Sequence, residues 1–225
     1  MLVKDWMSET VITADGNDSM QEAMNCLKEN NISMLPVMKK GNLVGVVTDR
    51  DLKRASPSDA NTLEVHELLF LISKIKVKEI MTENPVTLPF DFTVEEAAEI
   101  LLEKKISGAP VVDGKGNVIG AITKGDLFRV LIALTGVGKR GIQFAFVVED
   151  RPGSIRDLAD LIRKYGGRMV SILSTYDDVA KGYRKVFIRM YGVSRDKLSS
   201  LEKELGEKAK YLYLVDHREN RREIF

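Results

Sequence analysis

Two short stretches hold the residues best equipped for chemistry, Thr48-x-x-Asp51 and Thr123-x-x-Asp126. Each follows a Gly-led apolar run, Gly45-Val46-Val47 or Gly120-Ala121-Ile122. An apolar run ending in Thr reads as a strand that feeds a helix. Thr would be the N-cap, and Asp three residues on would complement the positive end of the helix dipole. Any helix can begin this way. The same geometry also suits a ligand. Free N–H groups and partial positive charge at a helix start receive a phosphate, and the Thr hydroxyl adds a donor. An Asp one turn in can accept hydrogen bonds from both hydroxyls of a ribose. Gly45 and Gly120 allow close chain approach.

The elements that position these residues occur twice. Val3-Lys4-Asp5-Trp6-Met7-Ser8 returns as Val77-Lys78-Glu79-Ile80-Met81-Thr82, and Ile32-Ser33-Met34-Leu35-Pro36-Val37 returns as Ile106-Ser107-Gly108-Ala109-Pro110-Val111. The Gly45 and Gly120 blocks are one residue further apart than these, so one residue has been added before the last strand. A duplicated unit predicts pseudo-twofold packing with two similar clefts. In each copy Ser19-x-x-Glu22 or Thr93-x-x-Glu96 has capping-box form ahead of a helical apolar stripe. A hairpin follows, turning at Lys40-Gly41-Asn42 or across 113–117. Between the copies, 56–61 reads as a loop and Leu63–Ile75 as an amphipathic helix.

These residues closely resemble the cystathionine-β-synthase (CBS) domain, whose nucleotide-contacting motif is Gly-apolar-apolar-Thr/Ser-x-x-Asp. Two CBS repeats in tandem form a Bateman module, and the resemblance covers residues 1–134. It implies that Thr48 and Thr123 hold phosphate and that Asp51 and Asp126 hold ribose. It also implies an adenine slot formed by Ile12-Thr13 with Leu35-Pro36, and by Val86-Thr87 with Ala109-Pro110. The two sites differ. Asp49 opens the first helix, offset by Arg50, whereas Lys124 opens the second. An extra cation favours a polyphosphate and an extra carboxylate opposes it. The second site is therefore expected to be the better nucleotide site.

The stretch 135–141 breaks every periodicity and reads as a linker. Beyond it the order is βαββαβ, the ferredoxin-like split unit, over 142–215. The charged tail 216–225 is expected to be loosely held. The turn Asp150-Arg151-Pro152-Gly153-Ser154-Ile155 resembles that of the ACT domain, an amino-acid-sensing module. It is either a plain strand-to-helix turn or a carboxylate site at the helix start. A CBS pair followed by ACT is similar to the acetoin-utilisation regulator family.

Composition narrows the field. Lys plus Arg is 34 against 33 for Asp plus Glu, a balance that argues against a nucleic-acid partner. The single cysteine, Cys26, excludes an internal disulfide and fits a cytoplasmic setting. No signal pattern or membrane-spanning apolar run is present in the sequence. His66 and His217 lack the neighbours of a zinc site or a triad, and no Walker loop or GxGxxG occurs. The expected fold is α/β (α+β): two CBS repeats, about 1–56 and 75–134, packed as a pseudo-twofold pair, plus the ACT domain. The expected function is a non-catalytic regulator without metal or cofactor. Its regulatory ligand is expected to be AMP, ADP, ATP or S-adenosylmethionine, with an amino acid at the ACT turn. The alternative is an interaction protein, or a regulatory subunit of a partner enzyme, with vestigial sites. A homodimer or larger assembly is expected, because Val186, Ile188 and Met190 alternate with Arg184, Lys185 and Arg189 on a sheet that leaves apolar area to bury.

Overall fold

The structure is a computed structural model and describes residues 1–56, 70 and 72–225. The expected loop from 57 to 61, most of the segment 63–75 and His66 lie outside the described residues. The chain divides into two units, Met1–Phe128 and Arg129–Phe225. The division falls within the helix Lys124–Thr135.

In the first unit, strands β1 (Ala14–Asp15), β2 (Met34–Lys39), β3 (Asn42–Thr48) and β4 (Thr82–Glu83) form one sheet in that order. Strands β5 (Leu88–Pro89), β6 (Gly108–Val112) and β7 (Val118–Thr123) form another. The β2–β3 turn is two residues, Lys40 and Gly41, both at positive φ, which matches the twist of a tight hairpin. Both capping boxes form. Glu22 accepts the Ser19 amide at 2.6 Å, and Glu96 accepts the Thr93 amide at 2.7 Å. The helices Met20–Glu29 and Val94–Glu103 start there and bury Ala23 and Leu27, or Ala97 and Leu101.

The two repeats exchange their leading segments. Val3 is buried in the core of the second repeat with Leu88, Ala97 and Ile122. Its amide donates to the Phe92 carbonyl at 2.8 Å, and Ser8 bridges Ala121. In return Val77 is buried in the first repeat's core with Met20, Leu35 and Val47. Thr82 and Glu83 extend that sheet beside Val46 and Gly45. The paired glycines follow from this exchange. A Cβ on Gly45 would collide with the Met81 side chain, and one on Gly120 with Met7. What approaches closely at these positions is the swapped segment.

In the second unit, β8 (Ile142–Glu149), β9 (Arg168–Thr175), β10 (Tyr183–Tyr191) and β11 (Lys210–Asp216) combine with helices Ser154–Lys164 and Arg195–Lys208. With a further strand β12 (Arg221–Ile224) at one edge, the sheet order is β12-β11-β8-β10-β9. Apart from β12, this is the fourth-first-third-second order of a ferredoxin-like unit. Phe144, Phe146, Val186, Ile188 and Met190 face the helices in one core with Leu158, Ile162 and Leu201.

Three expectations are corrected here. The tail is ordered: β12 pairs antiparallel with β11, Tyr213 opposite Ile224. Arg221 makes two bonds to the Glu202 carboxylate, and the Phe225 ring lies 5.1 Å from Tyr211. Composition suggested a solvated tail because it does not show that Glu202 waits on a neighbouring helix. Second, the stretch 135–141 is not a plain linker. Thr135 ends a helix, Val137–Lys139 form a 3-10 turn, and the Thr135 carbonyl accepts from Arg189 Nε at 2.8 Å and Ser171 Oγ at 3.0 Å. Third, Val186, Ile188 and Met190 have no exposed surface, since the chain's own helices cover them. They leave nothing for a second copy to bury.

Candidate functional site

Each Thr-x-x-Asp motif sits where a hairpin's second strand becomes a helix. In the first repeat, Thr48 is the N-cap of the helix Asp49–Ala55. Asp51 Oδ2 accepts the Thr48 hydroxyl at 2.6 Å and the Thr48 amide at 3.0 Å. Asp51 Oδ1 lies 3.3 Å from Arg54 Nη2. In the second repeat, Asp126 Oδ2 accepts both the hydroxyl and the amide of Thr123 at 2.7 Å. The two carboxylates are 8% and 7% exposed, so each is held in a fixed direction close to the surface. In each carboxylate one oxygen, Oδ2, serves the cap.

The register brings the other expected residues alongside. β1 runs parallel to β2 with Ala14 opposite Val37, which sets Thr13 beside Pro36. Thr48 pairs with Met34 on the same strand. The second repeat repeats the layout. Leu88 lies opposite Val111, setting Thr87 beside Pro110, and Thr123 pairs with Gly108. Ile12, Val86 and Thr87 are half-buried and Thr13 is exposed. Leu35, Pro36, Ala109 and Pro110 are all buried, Leu35 and Ala109 wholly so, and all four back the site and offer little or no surface to a ligand. The chemical asymmetry is real in position but softened in charge. Asp49 is exposed and paired with exposed Lys53 at 3.0 Å, Arg50 is exposed, and Lys124 is half-buried.

The turn at 150–155 is a second candidate. Gly153 has φ +90°, a conformation other residues adopt only with strain, and the helix Ser154–Lys164 that follows has no side-chain cap. A cavity of about 480 Å³ opens beside it, lined in part by Glu149, Arg151, Ser154 and Asp157. Arg151 bridges the two acids, at 3.5 Å to Glu149 and 3.0 Å to Asp157. Asp150 instead pairs with Arg184 at 3.6 Å, Ile155 packs against the core, and Pro152 is exposed. The cavity's far wall carries Tyr183, Lys208 and Lys210. Sequence reading missed all three. They come from another hairpin and another helix end, and no local pattern ties them to the turn. Among the described residues no helix is long and apolar enough to cross a membrane.

The CBS domain family model matches residues 3–58 and 77–133. Residues 134–225 lie outside that match. A CBS domain-containing protein of Dictyostelium discoideum is 38% identical over 133 residues, covering 59% of this chain and 92% of its own length. A crystallised CBS domain protein aligns with TM-score 0.51 at 32% identity, over 59% of this chain and 98% of its own. A Vibrio cholerae protein assigned to acetoin utilization shares the fold at 23% identity and TM-score 0.51, over 62% of this chain and 96% of its own.

Proposed function

The chain belongs to the CBS-domain family, carrying two CBS domains in tandem, and we propose that it is a non-catalytic sensor of an adenine nucleotide or adenosyl compound. One observation carries this reading. Two buried carboxylates, Asp51 and Asp126, recur at matching strand-to-helix junctions, and in each repeat the neighbouring strand carries a proline set beside a threonine with surface to offer, exposed Thr13 or half-buried Thr87. A structural cap needs neither the burial nor the repeated neighbourhood. In this reading the phosphate meets the helix start, the ribose meets the Asp carboxylate, and the base lies against the half-buried Ile12 or Val86 and the threonine that follows it. The ligand acts by binding one arrangement of the repeats better than another.

The second unit is an ACT-like module that takes an amino acid at the Gly153 turn. The ferredoxin-like strand order and the cavity beside an uncapped helix support this part. The architecture as a whole resembles an acetoin-utilisation regulator. A second reading, an interaction protein or regulatory subunit with vestigial sites, draws on the exposed apolar pair Leu131 and Ile132. A thermal-shift panel of AMP, ADP, ATP and S-adenosylmethionine separates the two. Stabilisation of the wild type that is lost in Asp51→Ala/Asp126→Ala supports the sensor. No shift with any of the four supports the interaction protein.

A further inference from the structure

The cavity beside Gly153 has an imbalance of charge. Its wall carries three cations, Arg151, Lys208 and Lys210, against two carboxylates, Glu149 and Asp157. Arg151 is engaged with both carboxylates, at 3.5 and 3.0 Å. The side chains of Lys208 and Lys210 make no hydrogen bond or close ion pair with any described residue, although the Lys208 charge also helps to hold the Glu204 carboxyl below its ordinary value. They flank Ala209, where the helix Arg195–Lys208 passes into β11. Lys210 pairs in register with Val147, two residues before Glu149, so the sheet ladder fixes it at the cavity's edge.

We infer that this cavity takes an acidic amino acid, its side-chain carboxylate received by Lys208 and Lys210. The inference rests on the amino-acid reading of the second unit and names the ligand class. A neutral amino acid carries no net charge and a basic one adds a cation to a wall that already has an excess. An acidic one supplies the missing negative charge. Its α-ammonium is received by Glu149 and Asp157, and its α-carboxylate by the uncapped start of Ser154–Lys164. A volume of about 480 Å³ accommodates a ligand of this size. The two lysines are exposed, so replacing them leaves the core intact.

The test is isothermal titration of the full chain with L-aspartate, L-glutamate, L-serine and L-lysine. It is run on the wild type, Lys208→Gln/Lys210→Gln and Gly153→Val. The expected result is that an acidic amino acid binds the wild type at least tenfold tighter than L-serine, and that the double lysine variant loses this preference. Equal or tighter binding of L-serine or L-lysine overturns the inference, as does a preference that survives in the double variant. If Gly153→Val still abolishes such binding, the amino-acid reading stands without the acidic one. Absence of binding by all four removes both.

Discussion

Thr123 and Asp126 lock one another: the amide and hydroxyl of Thr123 both donate to one Asp126 oxygen, each at 2.7 Å, and the Asp126 amide returns a bond to that hydroxyl at 3.4 Å. The cap therefore sets the direction of the carboxylate that a ribose would meet. Asp126→Ala is expected to lower stability by about 1 kcal/mol through loss of the cap. It should also weaken adenine-nucleotide binding at least about tenfold, ~1.4 kcal/mol. Asp126→Asn keeps an oxygen for the cap, so it should lose affinity with less change in stability. Denaturant melts beside isothermal titration with AMP read the two effects apart. If Asp126→Ala binds AMP as the wild type does, the motif is a cap alone.

The two sites should differ for phosphate-rich ligands. Lys124 opens the second site's helix, while Asp49 opens the first. Lys124→Ala is expected to reduce ATP affinity more than AMP affinity, and Asp51→Ala to cost less than Asp126→Ala for either. The Asp49–Lys53 pair is exposed and screened by salt, so the contrast should shrink as ionic strength rises. Titrations at low and at high salt provide the measurement.

The repeats, both capping boxes and the βαββαβ order could be read directly from the sequence because each is a local periodicity or a short motif. The segment exchange could not. Nothing near Val3 says that its side chain belongs with Leu88 and Ile122. The repeated Gly45 and Gly120 carry a trace of it, since they allow close chain approach without saying which segment approaches. The burial of Val186, Ile188 and Met190 was misjudged for a related reason. Alternation shows that one sheet face is apolar, but whether the chain's own helices cover it is a tertiary fact. The lysines opposite the Gly153 turn were invisible on the same ground.

Self-association is expected through the helix Lys124–Thr135. Leu131 and Ile132, on the part of that helix within the second unit, are 55% and 56% exposed. Exposed apolar side chains of this kind mark contact surfaces. Light scattering should give a dimer or larger for the wild type and a smaller mass for Leu131→Lys/Ile132→Lys. A monomeric wild type at micromolar concentration would remove this expectation.

The tail should contribute to folding. Removing residues 217–225 deletes β12, uncovers Tyr211 and leaves Glu202 without Arg221. Arg221→Ala alone should destabilise modestly, on the order of 1 kcal/mol, because the pair is partly exposed. The truncation should cost clearly more, since it also strips apolar contact from the edge of the sheet. Urea unfolding of the three chains measures both. A truncated chain as stable as the wild type would mean that β12 merely rests on the sheet.

Stability is expected to fall on mild acidification through His217. Burial holds its imidazole below the ordinary value of 6.5, aided by the nearby Arg189 and Arg222 cations and opposed by Asp216. Its folded pKa lies below its unfolded one, so between the two the unfolded chain binds more protons. The stabilising effect is thus fully present above about pH 6.5 and is lost as pH drops toward the folded value. Asp216 does not mask this. Burial pushes its carboxyl up, but Arg195 and the amides of Arg218 and Glu219 hold it below the ordinary 3.8. It therefore stays charged across that window. Urea midpoints at pH 7.5 and 5.5 should drop for the wild type and drop less for His217→Gln, which cannot take up the proton. An equal drop in both chains would assign the pH response to other groups.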